Sequence, residues 1–201
     1  MTRTDPLALF AALILALLVT PAAAQLQVDI TRGQVAPLPI AITEFVGTAQ
    51  AEGFGREIAD VVSADLERSG LFRPLDRRAF LDKPGPITTR PNFNNWRILN
   101  SQALVVGAAE VQPDGQPKVE FRLWDVFAEQ SMTGLTLTAP QDSMRRIAHL
   151  IADEIYRRLT GEEGYFDSRI VYVAEAGPAE RREKRLAIMD QDGAKHRFLT
   201  D

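Results

Sequence analysis

The sequence predicts an α/β layer structure, two helices packed against one sheet, and three patterns predict it. Several short stretches alternate apolar with polar residues, at the period of a half-buried strand. Two longer stretches repeat apolar residues at spacings of three and four, the period of an amphipathic helix. The two kinds alternate along the chain as strands, helix, strands, helix. The 201 residues suit one domain rather than two. With 45% hydrophobic and 25% charged residues, the chain is globular in composition, which excludes global disorder and collagen-like repeats.

The N-terminus comes before the fold. Arg3 is a sparse positive start, and every residue from Leu7 to Val19 is Leu, Ala, Phe, Ile or Val. That run is shorter than the roughly 20 residues of a membrane span. Thr20, Pro21 and Ala22-Ala23-Ala24 follow, so Ala22 and Ala24 form the A-x-A pattern of a signal peptidase site, with cleavage expected between Ala24 and Gln25. The competing reading is an uncleaved anchor. No twin arginine is present, which points to export in the unfolded state. An exported chain with a bacterial-style leader and no cysteine is expected in the periplasm, because a secreted eukaryotic domain more often carries disulfides.

The elements then follow in order. Leu26, Val28 and Ile30 alternate with Gln27, Asp29 and Thr31, a strand interrupted by Gly33. Leu38 to Ile42 is a buried strand ending near Phe45. Phe54, Ile58, Val61, Val62 and Leu66 form the apolar side of the first helix, with Arg56, Glu57, Asp60 and Asp65 elsewhere on it and Gly70 as its stop. Pro74, Pro84, Pro86 and Pro91 make 73–95 an extended surface loop, and 94–100 one or two helical turns. Ala103 to Gly107 is a central strand. Pro113-Asp114-Gly115 is a turn, Val119, Phe121 and Leu123 mark the next strand, and Met132 to Thr138 its hairpin partner. Met144, Ile147, Ile151, Ile155 and Leu159 line the second helix, which Gly161 stops. Beyond Gly164, Arg169 to Ala174 and Leu186 to Met189 are strands joined by a charged loop, with Asp190-Gln191-Asp192-Gly193 as a turn. A hairpin alone is marginal in water, so 169–201 is expected to open something larger.

Little here supports catalysis. The absence of cysteine excludes disulfides, thiolate zinc sites, cysteine nucleophiles and a lipid-modified N-terminal Cys. The net charge of −4 gives no support to nucleic-acid binding, which needs a concentrated basic face. The glycine fingerprints, nucleophile elbow and His-Glu-x-x-His motif are missing. His149 lies between the core and charged faces of the second helix and is expected to be partly exposed. His196 has no acidic partner at ligand spacing. Asp190-x-Asp192-Gly193 lacks the further acids of a calcium loop and is expected to be a polar turn. Glu120 and Asp125 point to opposite faces of one strand, against an acid/base pair. No cofactor is expected. The remaining feature of interest is the first strand, either an ordinary edge strand or a detachable one that a partner captures by strand addition.

Several segments together resemble the amino-terminal domain of the TolB family, periplasmic components of the Tol–Pal envelope system. They are Ser69-Gly70-Leu71-Phe72-Arg73-Pro74-Leu75-Asp76, Ala103 to Gly107, Leu159-Thr160-Gly161 with Gly164-Tyr165-Phe166, Arg169 to Val173, and Met189 to Gly193 closing on Leu199-Thr200. The resemblance implies a signal peptide at 1–24 and an α/β domain with a mixed sheet at 25–166. It further implies an incomplete first blade of a six-bladed β-propeller at 167–201, where a whole blade takes about 40 residues. It implies a non-enzymatic interaction protein that maintains outer-membrane integrity and supports constriction during division, meeting membranes only through partners. The family's N-terminal segment binds TolA, and this role maps onto Gln25, Leu26, Gln27, Val28, Asp29, Ile30, Thr31 and Gly33. The family's propeller binds Pal, an activity expected to be absent or crippled in a chain with part of one blade. Two other readings stay open: the N-terminal fragment of a propeller-containing periplasmic hydrolase, and a periplasmic solute-binding domain, which would show a deep apolar pocket with convergent polar groups.

Overall fold

The computed structural model describes residues 36–47, 52–140 and 143–200. Two sheets form. The first has strand order β3-β1-β4-β5-β6, with β1 Leu38–Ile42, β3 Phe72–Pro74, β4 Ala103–Val111, β5 Pro117–Asp125 and β6 Gln130–Thr138. The short β2, Val46–Gly47, continues beside β4. β1 runs parallel to β3 and β4, while β4, β5 and β6 form an antiparallel meander, so the sheet is mixed. Helices α1, Glu52–Arg68, and α3, Met144–Thr160, pack together on one face. The short α2, Phe93–Ile98, and the proline-rich loop cover part of the other. The expected two-helix layer is therefore present, with α2 as a third, shorter helix where one or two turns were expected.

The alternation read in the sequence decides which face is which. Val119, Phe121 and Leu123 of β5 and Ala103 and Val105 of β4 point at the helices, where Ile58, Val62, Leu66, Ile147, Ile151 and Ile155 meet them, all buried. Leu104, Val106 and Trp124 point the other way, towards Trp96, Phe80 and Leu99. Two glycines permit a close approach at the end of β1. A Cβ on Gly107 would lie 2.1 Å from the Phe45 ring, and one on Gly55 would lie 2.1 Å from the Phe45 carbonyl oxygen.

β3 is the element the loop reading missed. Its three residues pair in parallel with β1, a partner more than 30 positions away. Leu38 N–H donates to Leu71 C=O and Leu75 N–H to Ile40 C=O. The alternation of those bonds puts Pro74 at the position whose nitrogen faces outwards, so its missing donor is not needed there.

The second sheet is antiparallel, β7 Arg169–Ala176, β8 Glu183–Asp190 and β9 Arg197–Phe198, in that order. The segment joining it to α3 is clasped. Phe166 is fully buried against Tyr156, and Asp153 on α3 accepts from the Phe166 and Asp167 amides at 2.7 and 3.1 Å. Burial pushes the Asp153 carboxyl above its ordinary value, with those two amides pulling it back. Among the described residues no helix is long and apolar enough to cross a membrane.

Candidate functional site

The residues singled out from the sequence, Gln25 to Thr31 with Gly33, and the cleavage pair Ala24 and Gln25, lie outside the described residues. The polar cluster that the structure assembles is elsewhere, where the turn after β8 enters between α1 and α3. Asp65 and His149 are buried. His149 Nδ1 lies 2.6 Å from Asp65 Oδ2. The other Asp65 oxygen accepts from Arg68 Nη1 at 2.9 Å and from Gln191 Nε2 at 3.0 Å. Asp192, from the same turn, accepts from the Arg145 guanidinium, with Nε at 2.9 Å, and from the Ala194 amide at 3.0 Å. His149 Nε2 is buried without a hydrogen-bond partner and faces Asp192 Oδ2 at 3.7 Å.

Helix periodicity places these groups. Asp65 is four residues after Val61 and seven after Ile58, within the buried stripe of α1. Arg145 and His149 are one turn apart on α3, so both reach the same turn. The expectation of a partly exposed His149 was therefore wrong: the Asp65 carboxyl across the helix pair hydrogen-bonds its ring nitrogen and permits burial. The expected turn at Asp190 to Gly193 is present, with Gly193 at φ +86°, but the Asp192 side chain is 2% exposed. His196 packs against the Tyr172 and Phe198 rings. Asp125 caps its own turn through the Phe127 and Ala128 amides, and Glu120 lies beside Arg122.

Burial opposes ionisation of Asp192, yet the Ala194 amide and the Arg145 guanidinium together hold its carboxyl below the ordinary value. Asp65 and Asp192 each meet one guanidinium, that of Arg68 and that of Arg145 respectively. Asp65, His149 and Asp192 each bring one potential metal-ligand atom within 4.8 Å of the others. The 2.6 Å contact is nevertheless a direct hydrogen bond, whereas two ligands of one tetrahedral zinc, each about 2.0–2.2 Å from it, stand well over 3 Å apart. His149 Nε2 faces a carboxylate, not a hydroxyl that it could activate. The geometry is that of an ionic joint between the helical layer and the second sheet.

A pocket of about 290 Å³ opens beneath the proline-rich loop, lined by Thr43, Lys83, Pro84, Arg90, Trp96 and Leu104 among others. Arg90 is engaged, bonded to Glu129 at 2.8 Å and placed over the Phe93 ring. The polar lining also includes Asp82, which accepts from Asn95 at 2.8 Å, with Thr89 and Asn92.

Comparison with known proteins agrees with the resemblance. The TolB amino-terminal domain family matches residues 26–132. A curated relative, the Tol-Pal system protein TolB of Paramagnetospirillum magneticum, is 54% identical over the whole of this chain and 46% of its own length. The crystal structure of TolB from Acinetobacter baumannii superposes with a TM-score of 0.67 at 29% identity, covering 88% of this chain and 42% of that one. The chain spans about half the length of the relatives it matches. With the mixed sheet, the paired helices and the second sheet in place, the chain belongs to the TolB family.

Proposed function

We propose that this protein works in the periplasm as an interaction component of the Tol–Pal system, and that Gln25 to Val35 binds TolA as an added strand. The observation that carries this reading is the alternation of Leu26, Val28 and Ile30 with Gln27, Asp29 and Thr31, ahead of Gly33, in a chain of this family. The main chain would supply the hydrogen bonds, and the three apolar residues would insert on one face of the partner. Asp29 would face the other way, towards a basic residue. The role is recognition rather than catalysis, and the leader is removed between Ala24 and Gln25. Contact with Pal belongs to a complete propeller, of which β7 to β9 would be the opening strands.

Deleting Gln25 to Thr31 tests this directly. Calorimetry with the C-terminal domain of TolA should lose its binding signal while the melting temperature stays within a few degrees. Survival of binding, or unfolding of the domain, would overturn the assignment. Intact-mass measurement of periplasmic material should find a chain starting at Gln25.

A further inference from the structure

The two edges of the first sheet differ in how they are protected. β3 is three residues long and carries Arg73 and Pro74. β6 is nine residues long, Gln-Ser-Met-Thr-Gly-Leu-Thr-Leu-Thr, with no charge and no proline. Natural sheets usually blunt a long edge with charge, proline or a covering element, because an open edge is a template for another strand. The pairing with β5 fixes which groups are open. Ala139 N–H donates to Pro117 C=O, so the antiparallel alternation turns Thr133, Leu135 and Leu137 towards β5. The main-chain groups of Gly134, Thr136 and Thr138 then point outwards.

Beside this edge a groove of about 330 Å³ runs between β6 and α3. Leu135, Leu137 and Leu150 supply its apolar lining, and Leu135 is 40% exposed although it is on the helix-facing side of its strand. Asp153, Glu154 and Glu163 line it with a single cation, Arg157, which Glu154 already holds at 2.7 Å. Glu163 has no ion pair among the described residues. Three leucines and a net negative set of side chains thus share the groove.

We propose that the β6 edge and the β6–α3 groove form a second docking site, for an extended segment of another protein that alternates polar residues with groove-facing apolar residues and a Lys or Arg. Such a segment adds antiparallel to β6 and bonds Gly134, Thr136 and Thr138. Its apolar residues enter beside Leu135 and Leu137, and its cation reaches Glu163.

The probe is a capped peptide, Val-Thr-Val-Thr-Lys-Thr-Val-Thr, titrated into the full chain by calorimetry and amide NMR. Its comparison peptides carry Glu for Lys, or N-methyl groups on every Thr. The Lys peptide should bind, perturbing Gly134, Thr136 and Thr138 amides, and the two comparison peptides should bind at least about tenfold more weakly. Thr136→Pro removes an outward N–H that β5 does not use, and should weaken the Lys peptide about tenfold. Glu163→Lys leaves the β6 backbone intact and should reverse the order of the Lys and Glu peptides, so the test does not depend on Thr136→Pro folding. Equal binding of the N-methylated peptide, or an unchanged order in Glu163→Lys, overturns the proposal. So does a dimer in ultracentrifugation that Thr136→Pro dissolves, which would make a second copy the occupant. Binding seen only after residues 25–35 are deleted also overturns it, because the chain's own amino terminus would then fill the site.

Discussion

The two sheets of this protein are written in the same alphabet and end in opposite states. In β5 the alternating residues Val119, Phe121 and Leu123 are buried, sealed beneath α1 and α3. In β7 and β8 the residues Ile170, Val171, Val173 and Leu186 alternate or cluster in the same way, yet each is more than 40% exposed, and Ala187 is the buried hydrophobic residue of that sheet. Alternation says which side of a strand can be buried, and a second layer decides whether it is. The first sheet has that layer. The second is held to the rest by the clasp at Phe166 and the ionic joint at Asp192, not by an apolar face of its own.

That contrast can be broken most forcefully in the core. Ile151→Ala removes a fully buried side chain at the contact of α3 with the sheet, and should cost about 2–5 kcal/mol in denaturant unfolding. A cost below about 1 kcal/mol would mean the helix layer is looser than its burial implies. Gly107→Ala should cost about 1–3 kcal/mol, because its Cβ meets the Phe45 ring at 2.1 Å. Combining it with Phe45→Leu should recover part of that loss, which a purely conformational effect at position 107 would not.

The second sheet should respond differently. Asp192→Ala removes the acceptor of Arg145 and the carboxylate facing His149, easing local opening of 169–200 by about 1–3 kcal/mol. Hydrogen exchange should show it as lost protection in β8 with α3 unchanged, and equal loss in both would mean the two regions unfold as one. Proteolysis should likewise cut within 169–200 before it cuts 38–160. Acid should mimic the substitution. The folded Asp192 carboxyl is held below its ordinary 3.8, so its contribution is complete above that value and is lost as pH falls through the lower, folded one. The smallest effect is expected at the surface. Asp76 should titrate near 2 by NMR, because the Arg78 side chain and amide both donate to it, yet Asp76→Asn should leave the melting temperature unchanged within error, since the pair is exposed.

Most of the fold was legible because its signals are local. The stripe Met144, Ile147, Ile151, Ile155, Leu159 with Gly161 behind it is a helix and its stop in any context, and Gly161 takes the left-handed C-terminal position at φ 82°. β3 was not legible, because Phe72 to Pro74 becomes a strand only through β1, and its proline argues against a strand until the free edge is known. The ionic joint was not legible. Asp65 is expected apart from the apolar side of α1, with the helix's other charged residues, whereas the structure buries it completely. Nothing along the chain says that its partner is His149, 84 positions away.

Most of the element order, the apolar faces of the strands and helices, and the likeness to the TolB family were already set by the amino-acid sequence. Each follows from spacing or from residue type. Tertiary structure alone decided which equally apolar strands are covered, that His149 is buried between two carboxylates, and that β6 carries its uncharged edge beside an acidic groove. The physical reason is range. Periodicity is set by the 3.6-residue turn and the two-residue pleat, whereas burial and ion pairing depend on which distant surface arrives to exclude water and supply the opposite charge.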